Sequence, residues 1–266
     1  MEEFHMEESQ SRLTLLERRL GADWRQIRAG RPIGFSTGAL AYADFRRGVA
    51  MLHGKDVHAV ELSALRHSEL GPLLDGIADL DLSQFSYIAV HAPSKFGADD
   101  EEEIVTLLET VCRRGWHVIL HPDAIHDFSL WRRLGERLCI ENTDKRKPVG
   151  RTAPELAKIF DELPEASLCF DIGHARQVDS TMTEAHFILK QFGGRLRQVH
   201  VSEVNTRSKH DPLSVASILA FQEVADLIPD DIPLILETPV PEGQITFEID
   251  RVREALPTRE EVLVAS

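Results

Sequence analysis

The chain has 266 residues, 42% hydrophobic and 28% charged, the composition of a globular protein whose length suits one (β/α)8 domain of roughly 250 residues. Its longest apolar runs reach about five residues, against the roughly 20 that a membrane helix needs, so no membrane span is expected. The formal net charge of −14 argues against nucleic acid and anionic membrane as partners, because both are gripped by Lys/Arg surfaces.

The first residues, MEEFHMEESQ, are acidic and polar and lack the apolar core of a signal peptide. Residues 8–29 place Leu13, Leu16, Leu20, Trp24 and Ile27 at helical spacing, which predicts a helix in an N-terminal extension over 1–31. From residue 32 short apolar runs alternate with amphipathic stretches. Strands are expected at Ile33–Ser36, Ala59–Leu62, Tyr87–His91, Val118–His121, Leu138–Glu141, Leu168–Asp171, Gln198–Val201 and Leu234–Glu237. Helices are expected over Ala43–Leu52, Glu69–Ile77, from near Asp99, then over Phe128–Leu138, Thr152–Leu163, Thr183–Phe192, Leu213–Leu227 and Phe247–Ala255. The acidic run Asp99–Glu103 reads as a solvated helix start that complements the dipole. Pro154 after Thr152 suits a first turn. Eight strands alternating with eight helices predict an α/β fold, a (β/α)8 TIM barrel over 32–257, with 258–266 as a C-terminal tail. The three cysteines, Cys112, Cys139 and Cys169, lack a disulfide framework or a CxxC pair. Cys139 and Cys169 are expected to be buried and reduced, in a cytoplasmic protein.

The strands share one feature. Each apolar run hands a carboxylate or an imidazole to the loop behind it: YIAVHAP gives His91, HVILHP His121, LCIENTD Glu141, LCFDIGH Asp171 and His174, QVHVSE His200, and LILETP Glu237. In a barrel such residues converge at the C-terminal mouth. Glu141, Asp171, His200 and Glu237 form a mostly oxygen donor set suited to Mn2+, Mg2+, Co2+ or Zn2+. An ion-pair network is the competing explanation, but these strands supply no Lys or Arg partner. His91, His121, His174 and His210 are candidates for a second metal or for substrate contact. Arg207 and Lys209 are candidates for holding an anionic group of the substrate. The remaining histidines read as surface or packing residues.

On ENTD, DIGH, HVSE and ETP the chain resembles the xylose isomerase-like TIM barrels over residues 32–256. That resemblance implies a divalent metal held by Glu141, Asp171, His200 and Glu237, with His174 contacting substrate. It implies isomerase or epimerase activity on a small sugar, polyol or sugar phosphate. Glu141 and Glu237 would exchange the proton through a metal-bound enediolate. HAP, HP, ENT, DIGH, QVH and ETP also resemble the ligand stretches of the endonuclease IV type of abasic-site nuclease, with His210 resembling its last histidine. This implies up to three metals and the alternative of a multinuclear phosphoesterase. Two features depart from that nuclease. Ser208 stands where an acidic ligand is expected, with Asp211 displaced, and the loops STGALAYAD and SALRHSEL are short and lack basic, aromatic-rich character. The expected partner is therefore a small-molecule substrate, with a homo-oligomer left open. A binding module on a degenerate barrel is the third alternative.

Overall fold

The computed structural model describes residues 30–259; the helix expected over 8–29 and the tail beyond residue 259 lie outside them. Among the described residues ten strands occur in chain order: β1 Ile33–Ser36, β2 Ala59–Ser63, β3 Tyr87–His91, β4 His117–Leu120, β5 Leu138–Glu141, β6 Ser167–Asp171, β7 Leu196–Val201, β8 Glu203–Val204, β9 His210–Asp211 and β10 Leu234–Leu236. The α-helices are α1 Thr37–Ala41, α2 Phe45–Leu52, α3 His67–Gly76, α4 Glu101–Arg113, α5 Phe128–Trp131, α6 Ala153–Glu162, α7 Ile172–Val178, α8 Thr183–Phe192, α9 Val215–Gln222 and α10 Ile245–Ala255. β1 to β7 pair in order and β10 closes the ring between β7 and β1, with every pairing in the ring parallel. This is a (β/α)8 barrel. Among the described residues no helix is long and apolar enough to cross a membrane.

Strand alternation splits the apolar residues into two populations. Phe35, Val60, Leu62, Val90, Leu120, Ile140, Phe170, Val199 and Leu236 point outward and join the helices in the large core. Ala89, Ile119, Cys139 and Cys169 point inward and form a separate small plug, with Tyr87 packed against it. Above that plug the inward positions turn polar, so the plug is the floor of whatever sits in the mouth.

Several expected helices are shorter than their apolar periodicity suggested. The stretch 128–138 is α5 followed by a 3-10 helix, Arg132–Arg137, because Gly135 adopts φ 53 and breaks the regular ladder. The stretch 213–227 is α9, capped by Ser214, with a 3-10 turn at Ala225–Leu227. Pro154 sits in the first turn of α6 as anticipated, and Thr152, expected as the first helical residue, is instead its cap, accepting from the Glu155 N–H. Three features were not anticipated: α1 in the stretch read as a loop, α7, which starts directly behind β6, and the β8–β9 hairpin.

The acidic run opening α4 needs a correction. Asp99, Glu102 and Glu103 are solvated, but Glu101 is 1% exposed. Its carboxylate accepts from Trp131 Nε1 at 2.6 Å and from the backbone N–H groups of His126 and Asp127 at 2.8 and 2.9 Å. Three donors replace the water that a buried carboxylate loses, so Glu101 ties α4 to the loop entering α5.

Candidate metal centre

The candidate residues meet at the mouth because their strands end there in register. Asp171 lies opposite His200, and His200 lies opposite Ile235, two residues before Glu237. His121 and Glu237 sit one residue beyond β4 and β10, and the Glu237 N–H still donates to the Val201 carbonyl at 3.1 Å. The ENTD and DIGH stretches lock one another. Asn142 donates to the Asp171 carbonyl and accepts from the Asp171 N–H, both at 2.8 Å. Asp171 Oδ1 caps α7 by accepting from the His174 N–H at 2.6 Å, while His174 Nδ1 lies 2.9 Å from the Asn142 carbonyl oxygen.

Glu141 is the centre of the cluster. Its Oε2 lies 3.2 Å from His91 Nε2 and 3.1 Å from His121 Nε2. Its Oε1 lies 3.3 Å from His174 Nδ1 and 3.5 Å from His200 Nδ1. Glu237 Oε2 is 3.6 Å from both His200 Nδ1 and His210 Nδ1, and the latter also lies 2.7 Å from Ser202 Oγ. Ligand-type atoms of Glu141, Asp171, His200 and Glu237 fall within 4.8 Å of one another, and three smaller groups meet the same limit: His91, His121 and Glu141; Glu141, Cys169 and His200; and Glu61, His91 and Glu237. His174 and His210 stand at the edge of these groups without joining them.

The donor set fits a divalent cation. Glu141 Oε1, Asp171 Oδ2 and His200 Nδ1 are all buried without a hydrogen-bond partner. A buried polar atom left unsatisfied costs about 1–3 kcal/mol, and these three belong to one four-residue group. A cation shared among them would satisfy all three at once.

The charges of the group are strongly coupled. Burial raises Glu141, but the His121 and His200 charges and the bonds from His121 and His174 outweigh it and hold the carboxyl well below its usual range. Burial likewise raises Glu237, and His200 and His210 bring it below its usual value. Asp171 rises to about 6, chiefly through burial, with His174 opposing. Burial works against the charged form of His91, yet its bond to Glu141 and the nearby carboxylates lift it to about 9. His174 reaches about 10 by the same balance, with Asp171 its largest support. The metal-free protein thus binds protons more tightly folded than unfolded at Asp171, His91 and His174. The share of Asp171 in the resulting stability is already lost as pH rises through about 6, while that of the two histidines is complete below the unfolded value of 6.5 and is lost as pH rises through 9 to 10. We expect the melting temperature of chelator-treated protein to fall between pH 7 and 10 and added Mn2+ to reverse the fall; a flat profile would contradict this electrostatic picture.

A cavity of about 920 Å³ opens above the group, lined by His91, His121, His174, His210 and Glu237. Of the two basic residues expected to meet an anionic group, Lys209 lines this cavity, whereas Arg207 stands on the exposed hairpin turn outside the lining. Lys95, Arg146 and Lys147 line it instead. Arg146 is anchored on Asp144 and the Ser208 carbonyl, both at 3.1 Å, and Lys147 on Asp123 at 2.8 Å. Ser208 Oγ bonds Gln177, and Asp211 accepts from Asn205 at 2.7 Å, so neither joins a ligand group. Cys139 and Cys169 are buried free thiols in the barrel, and burial pushes Cys169 up to about 12, which leaves it an inert thiol. His117 is a packing residue stacked on Tyr87 at 6.0 Å, and burial holds it down to about 4. The residue that sequence reasoning missed is Glu61, fully buried on β2 with Oε2 2.8 Å from His200 Nε2. Its signal was present: one charge at an inward position of the otherwise apolar AVELS.

No family model matches the chain, and no curated protein matches it. Solved structures do. A xylose isomerase domain protein from Alicyclobacillus acidocaldarius is 12% identical, with 85% of this chain and 98% of that one covered and a TM-score of 0.57. At this identity the likeness is one of fold, the (β/α)8 barrel. A xylose isomerase-like TIM barrel protein from Mycobacterium smegmatis, solved in complex with magnesium, is 11% identical over 87% of this chain and 99% of that one, TM-score 0.52. A candidate sugar phosphate isomerase/epimerase from Anabaena variabilis is 15% identical over 82% and 88% of the two chains, TM-score 0.51.

Proposed function

We propose that this protein is a divalent-metal-dependent isomerase or epimerase of a small sugar, polyol or sugar phosphate. The observation that carries the reading is the set of three unsatisfied buried atoms, on Glu141, Asp171 and His200, gathered with Glu237 at the barrel mouth. The Alicyclobacillus, Mycobacterium and Anabaena structures support it by their fold and by what they are described as. When bound by Glu141, Asp171, His200 and Glu237, a divalent ion supplies a Lewis acid for a carbonyl and its neighbouring hydroxyl.

The chain's own residues do the rest. Glu237 is the one carboxylate of the group that lines the cavity. It is held ionised by His200 and His210, and in this reading it takes the proton from the carbon beside the carbonyl. In an epimerisation the opposite face would receive its proton from the protonated form of Glu141, with Glu237 keeping the proton it took and exchange with water resetting both carboxyls. His174, at the cavity wall and fixed through Asn142, orients a substrate hydroxyl. Lys95, Arg146, Lys147 and Lys209 at the rim suit a phosphorylated substrate. The cavity suits a small molecule, and the net charge of −14 disfavours a polynucleotide.

One observation favours a second reading, a multinuclear phosphoesterase. His91 and His121 converge on the same oxygen of Glu141 at 3.2 and 3.1 Å, a donor set for a second ion sharing Glu141, and paired ions suit hydrolysis of phosphate esters. Elemental analysis of protein purified without added metal separates the two. About one equivalent of Mn, Mg or Co per chain supports the isomerase and directs assays to ketoses and sugar phosphates; two or more, especially of Zn, support the phosphoesterase. His91→Ala is expected to leave one equivalent bound in the first case and to lose one of two in the second. No cation uptake after titration would overturn both.

A further inference from the structure

Glu61 has no role in the chemistry above, yet the barrel buries it completely beneath the site. Its Oε2 lies 2.8 Å from His200 Nε2 and accepts from Gln198 Nε2 at 2.7 Å. Two donors converge on that oxygen, which brings Gln198 Nε2 to 2.8 Å from His200 Nε2. The Tyr87 hydroxyl donates to Gln198 Oε1 at 2.8 Å, and this turns the amide so that its N–H groups face Glu61. Gln198 and His200 are two residues apart on β7 and therefore share the inward face. Among the described residues no Lys or Arg pairs with Glu61; its ion-pair partner is His200. A fully buried carboxylate is expensive, and the partner that Glu61 has is the imidazole of a candidate metal ligand.

We propose that Glu61 is a positioning residue which selects the cation-facing nitrogen of His200. The proposal rests on the metal site read above. An ionised carboxylate accepts and cannot donate, so the proton between the two side chains sits on His200 Nε2. Once a cation displaces the second proton of the imidazolium, the lone pair is thereby left on Nδ1. That atom faces Glu141 Oε1 at 3.5 Å and Glu237 Oε2 at 3.6 Å and has no hydrogen-bond partner. A ligating histidine binds through its neutral nitrogen, and a carboxylate on the opposite nitrogen fixes the tautomer and ring angle and makes the ligand more basic. The chain Tyr87–Gln198–Glu61–His200 would thus carry orientation from the barrel floor to the ligand.

The test is Co2+ binding to the full chain, by calorimetry and by the visible spectrum of the bound ion, for the native protein and Glu61→Gln. Glutamine preserves the volume and removes the acceptor-only constraint. The expected result is an unchanged stoichiometry, an affinity lower by roughly 10- to 100-fold and an altered Co2+ spectrum, with the melting temperature of the metal-free chain near that of the native protein. Glu61→Asp, shorter but still charged, takes its place with the same expected loss should Glu61→Gln not fold. Native-like affinity and spectrum in the variant would overturn the role of Glu61 while leaving the metal site standing. Loss of a whole equivalent would overturn it differently, by making Glu61 a ligand. Failure of the native protein itself to bind Co2+ would remove the site reading and this proposal with it.

Discussion

Glu237→Gln is expected to abolish turnover and to weaken divalent-cation binding by at least about 100-fold. The substitution keeps side-chain volume and leaves the Glu237 N–H bond to Val201, so the loop behind β10 keeps its path. What changes is charge. The carboxylate faces His200 and His210 at 3.6 Å each, and an amide there presents N–H groups to imidazole nitrogens and to any cation between them. Glu237 is also the carboxylate of the four-residue group that lines the cavity, so in the isomerase reading the proton carrier is lost as well as a ligand. The phosphoesterase reading loses the same ligand. Calorimetric titration with Mn2+ beside an activity assay checks both parts. A fully active variant would sink both functional readings.

Gly34→Ala is expected to prevent stable folding, with a destabilisation of about 4 kcal/mol or more against a typical total of about 5–15 kcal/mol. Gly34 pairs with Ala59 on one side and Ile235 on the other, at the strand that closes the barrel. A Cβ there would land on the Ala59 carbonyl carbon and oxygen and lie 2.9 Å from its Cα. Those atoms are backbone, held by the β2–β3 pairing, so no side-chain rotation relieves the clash. Thermal unfolding monitored by circular dichroism checks this. A soluble variant melting with the native protein would mean that β1 and β2 do not approach this closely.

Much of the cluster at the barrel mouth could be read before the fold was known, and the reason is geometric. A parallel strand buried on both faces is apolar along its length, so a carboxylate or imidazole at its C-terminal end stands out. In a closed parallel ring all such ends lie on one face. Glu141, Asp171, His200 and Glu237 were legible in this way, and so were His91 and His121. The limits of helices were less legible because local conformation overrode periodicity: Gly135 with φ 53 splits the stretch after β4, and Ser214 caps α9 later than the apolar pattern begins.

Residues whose role depends on a distant partner were not legible at all. Glu101 reads as one more solvated acid in Asp99–Glu103 until Trp131, 30 positions on, delivers an indole N–H to it. Arg207 and Lys209 look equivalent along the chain, but the β8–β9 hairpin leaves Arg207 outside the cavity lining and Lys209 within it. Glu61 meets His200 across 139 positions. The order and chemistry of strand ends are local properties, written in alternation and hydrophobicity, and from them the sequence by itself determined a barrel with carboxylates and imidazoles gathered at its mouth. Which charge is buried and what it touches depend on barrel closure. Only when β1 meets β10 do the inward faces of β2, β3 and β7 meet, placing Tyr87, Gln198 and Glu61 beneath the imidazole of His200.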